Sequence, residues 1–103
     1  MESLNAHVKL DRLKLRLSMA VLDQVEISTV RSVSLANLER WKGQGTWGGT
    51  YDEWAILMTS GTDAEIITAM TSPDENSNRL RQSPPYVGIL DQDTVRRLNM
   101  EMG

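Results

Sequence analysis

The chain has 103 residues, 40% of them hydrophobic and 24% charged, with a formal net charge of -3; this is the size of one small domain, with a modest core that is its own or completed by a partner. It has no Cys and a single His, His7, which excludes disulfides, thiolate nucleophiles and cysteine–zinc sites and leaves any His-based zinc site or Ser–His–Asp triad hanging on one residue near a terminus. No apolar run is long enough to span a membrane, charged residues from Lys9 to Arg16 break up what would be the apolar stretch of a signal peptide, and a cysteine-free composition suits the cytoplasm.

Residues 3–23 read as a first helix capped by Ser3, because Leu10, Leu13, Leu17 and Val21 recur at helical spacing. A second stripe, Leu4, Val8, Leu15, Met19 and Leu22, suggests burial on two sides or docking on a partner chain, so residues 1–24 form a basic N-terminal helix suited to oligomer or partner contact. Leu13, Leu15 and Leu17 also alternate with Lys14 and Arg16 in strand fashion; the helix-favouring Leu, Lys, Arg and Met decide for helix. A second helix, Ser28 to Lys42, is capped by Ser28 or Thr29 and carries Ile27, Val30, Ser34, Leu38 and Trp41 on one face, with Gly43 as its left-handed terminator.

After a loop at 43–49, Thr50-Tyr51-Asp52-Glu53 reads as a capping box. It opens a helix with Tyr51, Trp54, Ala55 and Met58 on one face and Gly61 at its end. Thr62-Asp63-Ala64-Glu65 is a second box, opening a short helix through Met70. Ser72-Pro73-Asp74-Glu75 is a third, with Pro73 in the first helical position. Ser83-Pro84-Pro85 forces an extended break, and Asp91 caps a last helix bearing Val95, Leu98 and Met102. The sum is an all-α fold: one compact single-domain bundle, residues 1–103, of five to six short helices.

Gly43-Gln44-Gly45-Thr46-Trp47-Gly48 matches the G-x-G-x-x-G of dinucleotide sites, but that chemistry needs a strand before the loop. A helix precedes it here, and Asp52 and Glu53 in the next helical turn would repel phosphate. The loop reads instead as a turn that lets two helices approach. Trp41 and Trp54 lie on apolar faces and read as core. Trp47 has no apolar neighbour in sequence, and reads either as a lid folded over the two helices or as an anchor for a partner.

The charge is unevenly spread. Residues 43–78 hold six acids, Asp52, Glu53, Asp63, Glu65, Asp74 and Glu75, and no base. Each pair stands in the first turn of a helix, where it completes caps and complements the dipole; together the three starts would also make a negative face for a basic partner. Lys9, Arg12, Lys14 and Arg16 form a basic segment, read as a solvated face or as phosphate contacts. Arg79, Arg81, Arg96 and Arg97 fall toward the ends of their helices, where positive charge is favourable. No helix-turn-helix is evident, and His7 reads as a surface residue.

The segments from Ala36 to Trp47, from Tyr51 to Trp54 and from Arg79 to Pro85 resemble small bacterial operon proteins of the antitoxin or accessory type. A fainter similarity, to the tail of the Xre/MbcA/ParS antitoxins, lacks their Gly-Gly-Arg element before the last helix. Neither resemblance carries over site residues. The expectation is a non-enzymatic protein-binding module, antitoxin- or inhibitor-like, without cofactor or metal. Trp47 and the six acids would cover the basic surface of a toxin or nuclease. The alternative is a homodimeric DNA-binding regulator using Lys9, Arg12, Lys14 and Arg16.

Overall fold

The computed structural model describes residues 6–102, with side chains for 8–101. Six helices follow in order: α1 Ala6–Gln24, α2 Ile27–Gly43, α3 Gly49–Ser60, α4 Asp63–Thr71, α5 Glu75–Arg81 and α6 Gln92–Met102. No strand occurs among the described residues. The expected cap Ser3 and stripe residue Leu4 lie outside them, as do the side chains of His7 and Met102.

The ambiguous segment at 9–17 is helical throughout. α1 packs against α4, α5 and α6, with a smaller contact to α2, while α2 pairs with α3 and α4 with α5. Ser18 and Val21 are the buried residues of α1; Leu10 and Met19, expected in its apolar stripes, are exposed. The α2 face is as the spacing predicts, with Val30, Ser34 and Leu38 buried and Ile27 and Trp41 packed beside the core. α3 buries Trp54 and Met58 and leaves Tyr51 and Ala55 partly covered.

Helix boundaries differ from the sequence reading in four places. α2 begins at Ile27 behind Glu26, which forms no side-chain cap. Its terminator is Gly45 rather than Gly43: Gly45 takes φ +80, and the amides of Gly45 and Thr46 donate back to the carbonyls of Lys42 and Trp41, a Schellman closure. α3 begins at Gly49 behind Gly48 with no side-chain cap, so the Thr50–Glu53 box does not form. α5 begins at Glu75, with Asp74 rather than Ser72 as its cap and Pro73 outside the helix. The Thr62–Glu65 box forms in both directions, at 3.1 and 2.8 Å, and Asp91 accepts from the Thr94 amide at 2.7 Å. A local box forms where no distant partner competes for its acid; Glu53 has such a partner.

The α3–α4 corner is closed by Arg31 of α2. Its guanidinium donates to the carbonyls of Met58 and Gly61, at 2.9 and 2.6 Å, and to Asp63 at 2.9 Å. This satisfies carbonyls that a helix end leaves open. Gly61 is required here by space alone: a Cβ would stand 2.6 Å from the Leu57 carbonyl oxygen.

The core is threaded by a polar spine. Trp54, fully buried, donates from Nε1 to the Leu80 carbonyl at 2.9 Å and meets Tyr86 edge-on, centroids 5.7 Å apart. The Tyr86 hydroxyl bonds Ser18 of α1. Asn37 of α2 donates to the Pro85 and Val87 carbonyls at 2.9 and 3.0 Å. The segment between α5 and α6 is thus tied to α1, α2 and α3 by side chains, not by secondary structure of its own.

Candidate protein-binding surface

Trp47 folds back over the α2–α3 corner. Its ring lies 5.5 Å from that of Tyr51, which lies 5.4 Å from Trp41. Lys42 sits 5.3 Å above the Trp47 ring, within cation–π range. Its Nε1 donates to Asp52 at 2.8 Å. Trp47 is therefore a half-buried staple of the corner, and of the two readings of this residue the lid describes its position.

The six acids do not form one open negative face. Glu53 holds Arg79 through two bonds of 2.7 Å, a fork geometry that is strong for its kind. Asp63 pairs with Arg31. Asp74 caps α5 through the Ser77 amide at 2.8 Å and also bonds Ser72. Glu65 serves its capping box, Asp52 holds Trp47, and Glu75 lines a polar recess with Asp11 and Arg79. The block lacks bases in sequence, but Arg31 and Arg79 reach it from outside.

The tertiary fold does bring part of the set together. Two adjoining recesses of about 400 and 370 Å³ run between α3, α4 and α5 and share Leu57, Glu65 and Leu80. Glu53 and Glu65 stand on the rim, and Ile56 projects beside them with 68% exposure. Asp52, Glu53, Ile56 and Ser60 fall on one stripe of α3, with Trp47 tethered to its N-terminal end. Sequence reasoning named the acids and missed Ile56. The signal was available: Ile56 is a large apolar residue off the buried stripe of its own helix.

The basic residues separate. Lys9 and Arg12 are exposed, and Arg16 is bonded to Glu101 at 2.5 Å. Lys14 lies about 140° around α1 from Lys9 and lines an apolar cleft instead. They do not form a single track for a phosphate backbone. Among the described residues no group of three or more acids or histidines is placed to hold a metal ion, and no helix is long and apolar enough to cross a membrane.

Several carboxylates are held below their ordinary pKa. The Arg79 guanidinium does this for Glu53, the Thr62 amide and hydroxyl for Glu65, the Ser72 hydroxyl and Ser77 amide for Asp74, and the Thr94 amide for Asp91. A carboxylate with a depressed folded pKa stabilises the fold above its unfolded value and loses that contribution as pH falls through the folded one. The melting temperature is therefore expected to hold from pH 7 to about 5 and to fall below about 4, the unfolded carboxylate range. Glu65→Gln should flatten that fall in melts monitored by circular dichroism. An acid limb equally steep in the variant would remove Glu65 from the account.

Compared with known proteins, the chain matches no family model, no curated protein and no solved structure. The functional reading therefore rests on the geometry above.

Proposed function

We propose that this chain is a non-enzymatic protein-binding module of the antitoxin or inhibitor type, acting in the cytoplasm, and that the α3–α4–α5 groove receives a basic amphipathic segment of its partner. The observation that carries the reading is Ile56, an exposed branched side chain beside an apolar floor of Leu57 and Leu80 and between two carboxylates. A contiguous apolar surface rimmed by polar groups is the mark of an interaction site, and Ile56 is continuous here with the groove floor. Asp52 and Glu65 each spend one carboxylate oxygen internally, which leaves the other to pair with lysine or arginine. Charge of this sign steers a basic partner and rejects an acidic one. The apolar contact supplies the affinity. The DNA-binding alternative draws on Lys9 and Arg12 alone, since Arg16 is engaged and Lys14 faces elsewhere.

The test is co-purification from the native host, followed by measurement of the purified complex. Ile56→Lys should weaken it by about 2 kcal/mol or more. The melting temperature should be nearly unchanged, because the residue is exposed and lysine is a good helix former. Lys9→Glu with Arg12→Glu should leave the complex intact. An unchanged dissociation constant for Ile56→Lys would exclude the groove. Trp47→Ala is a poorer probe, because it also releases the α2–α3 corner.

A further inference from the structure

A second cleft, of about 270 Å³, lies between α1, the segment 84–90 and α6, and shares no residue with the acidic groove. α1 contributes Lys14, Leu17, Ser18 and Val21, spaced i, i+3, i+4 and i+7 and so on one face. Leu90 and Val95 form the opposite apolar wall, and Tyr86 lies at the buried end. The wall is held in place: Asn37 bonds the carbonyls on either side of Tyr86, and Gly88 makes its turn at φ +91.

Two features of this cleft offer bonding capacity that the fold leaves unused. Lys14 is half-exposed at its edge and has no partner among the described residues. Ser18 and Tyr86 are both more than nine-tenths buried and bond only each other. Two hydroxyls carry two hydrogens, and the bond between them uses one. One buried O–H is left without an acceptor, which costs free energy unless something supplies one. Burial raises the Tyr86 pKa to about 12, so the hydroxyl keeps its proton at any physiological pH. One spare hydroxyl donor inside, an ammonium on the lining and hydrocarbon walls are together complementary to an anionic head on an apolar body.

We propose that this cleft binds a small amphipathic monocarboxylate. Its carboxylate would lie between the Lys14 ammonium and the Ser18–Tyr86 hydroxyl pair, and its apolar body along Leu17, Val21, Leu90 and Val95. A dry cavity of about 150 Å³ takes benzene, so this one has room for a fused bicyclic ring or a medium-length acyl chain. The site is independent of the protein-docking groove, and either can fail without the other.

The test is titration of the full-length protein with 2-naphthoate and with octanoate, and with 2-naphthalenemethanol as the uncharged control, followed by heteronuclear NMR. Saturable shifts are expected in α1, residues 84–90 and the start of α6. Lys14→Gln should weaken both acids about tenfold, the scale of one charge-assisted contact, and leave the alcohol unchanged. That variant removes no internal hydrogen bond or ion pair and keeps most of the side-chain stem, so its fold is expected to hold. Ser18→Ala combined with Tyr86→Phe, which removes both hydroxyl hydrogens, should also weaken the acids. No saturation by either acid up to about 10 mM, a binding energy of only about 3 kcal/mol, would overturn the proposal. Equal affinity for Lys14→Gln and the parent protein, or shifts confined to Arg96 and Arg97, would overturn it too.

Discussion

Trp54→Ala is expected to cost about 3–5 kcal/mol, the range for truncating a buried tryptophan. The whole domain is worth only about 5–15 kcal/mol, so much of the population should be unfolded at physiological temperature. The size of the effect follows from position. The Trp54 ring is fully buried, touches Tyr86 edge-on and donates to the Leu80 carbonyl. Its removal opens a cavity between α3, α5 and the segment before α6, and takes away one of the two donors to the Leu80 carbonyl, which keeps the Ser83 amide at 3.1 Å. Trp54→Phe separates the two effects. It keeps most of the ring and loses one donor to a carbonyl that remains bonded to the Ser83 amide, for which about 0.5–1.5 kcal/mol is expected. Urea unfolding followed by circular dichroism measures both. A Trp54→Ala midpoint close to that of the parent protein would contradict this account of the core.

Arg81 gives the second large effect, and here the choice of replacement decides the outcome. The residue is 1% exposed at the end of α5. Its Nη1 donates to the Ala69 carbonyl at 3.0 Å and its Nη2 to Asn78, while Nε has no partner. Burial draws its pKa below the ordinary value, opposed by Tyr86, Asp74 and Asp11. Arg81→Ala loses the packed stem and leaves the Ala69 carbonyl unpaired, for which about 3 kcal/mol is expected. Arg81→Met keeps much of the volume and removes a desolvated charge that is incompletely bonded. Such replacements are often neutral or stabilising, so a change within about 1 kcal/mol is expected. If the two variants lose the same stability, the guanidinium bonds, not the packing of the stem, hold α5 to α4. Thermal melts of the three proteins side by side distinguish these outcomes.

Much of the candidate docking site was legible as residues and little of it as arrangement. Asp52 and Glu65 could be named from their place in the first turns of helices, Glu53 from the capping box that its spacing predicts, and Trp47 from its isolation among glycines. Their partners could not. Arg79 lies 26 residues from Glu53 and Arg31 lies 32 from Asp63, and no local spacing encodes such pairs. The same is true of the monocarboxylate cleft, whose Ser18 and Tyr86 are 68 residues apart. Arg81 reads in sequence as a helix-end charge, and the fold buries it because α4 packs across that face of α5.

By itself the sequence determined the all-helical character, the buried faces of α2 and α3, the Thr62–Glu65 box and the Asp91 cap. Each of these is set by residues within about two helical turns of one another, where propensity and spacing act directly. Only the tertiary structure decided which acids are spent on arginines, that Glu53 leaves its own helix start to hold Arg79, that Trp47 lies down on Tyr51, and that Ile56 is left uncovered between Glu53 and Glu65. Those outcomes depend on which helix faces meet. That is settled by burying the apolar stripes of all six helices at once, not by any one stretch of the chain.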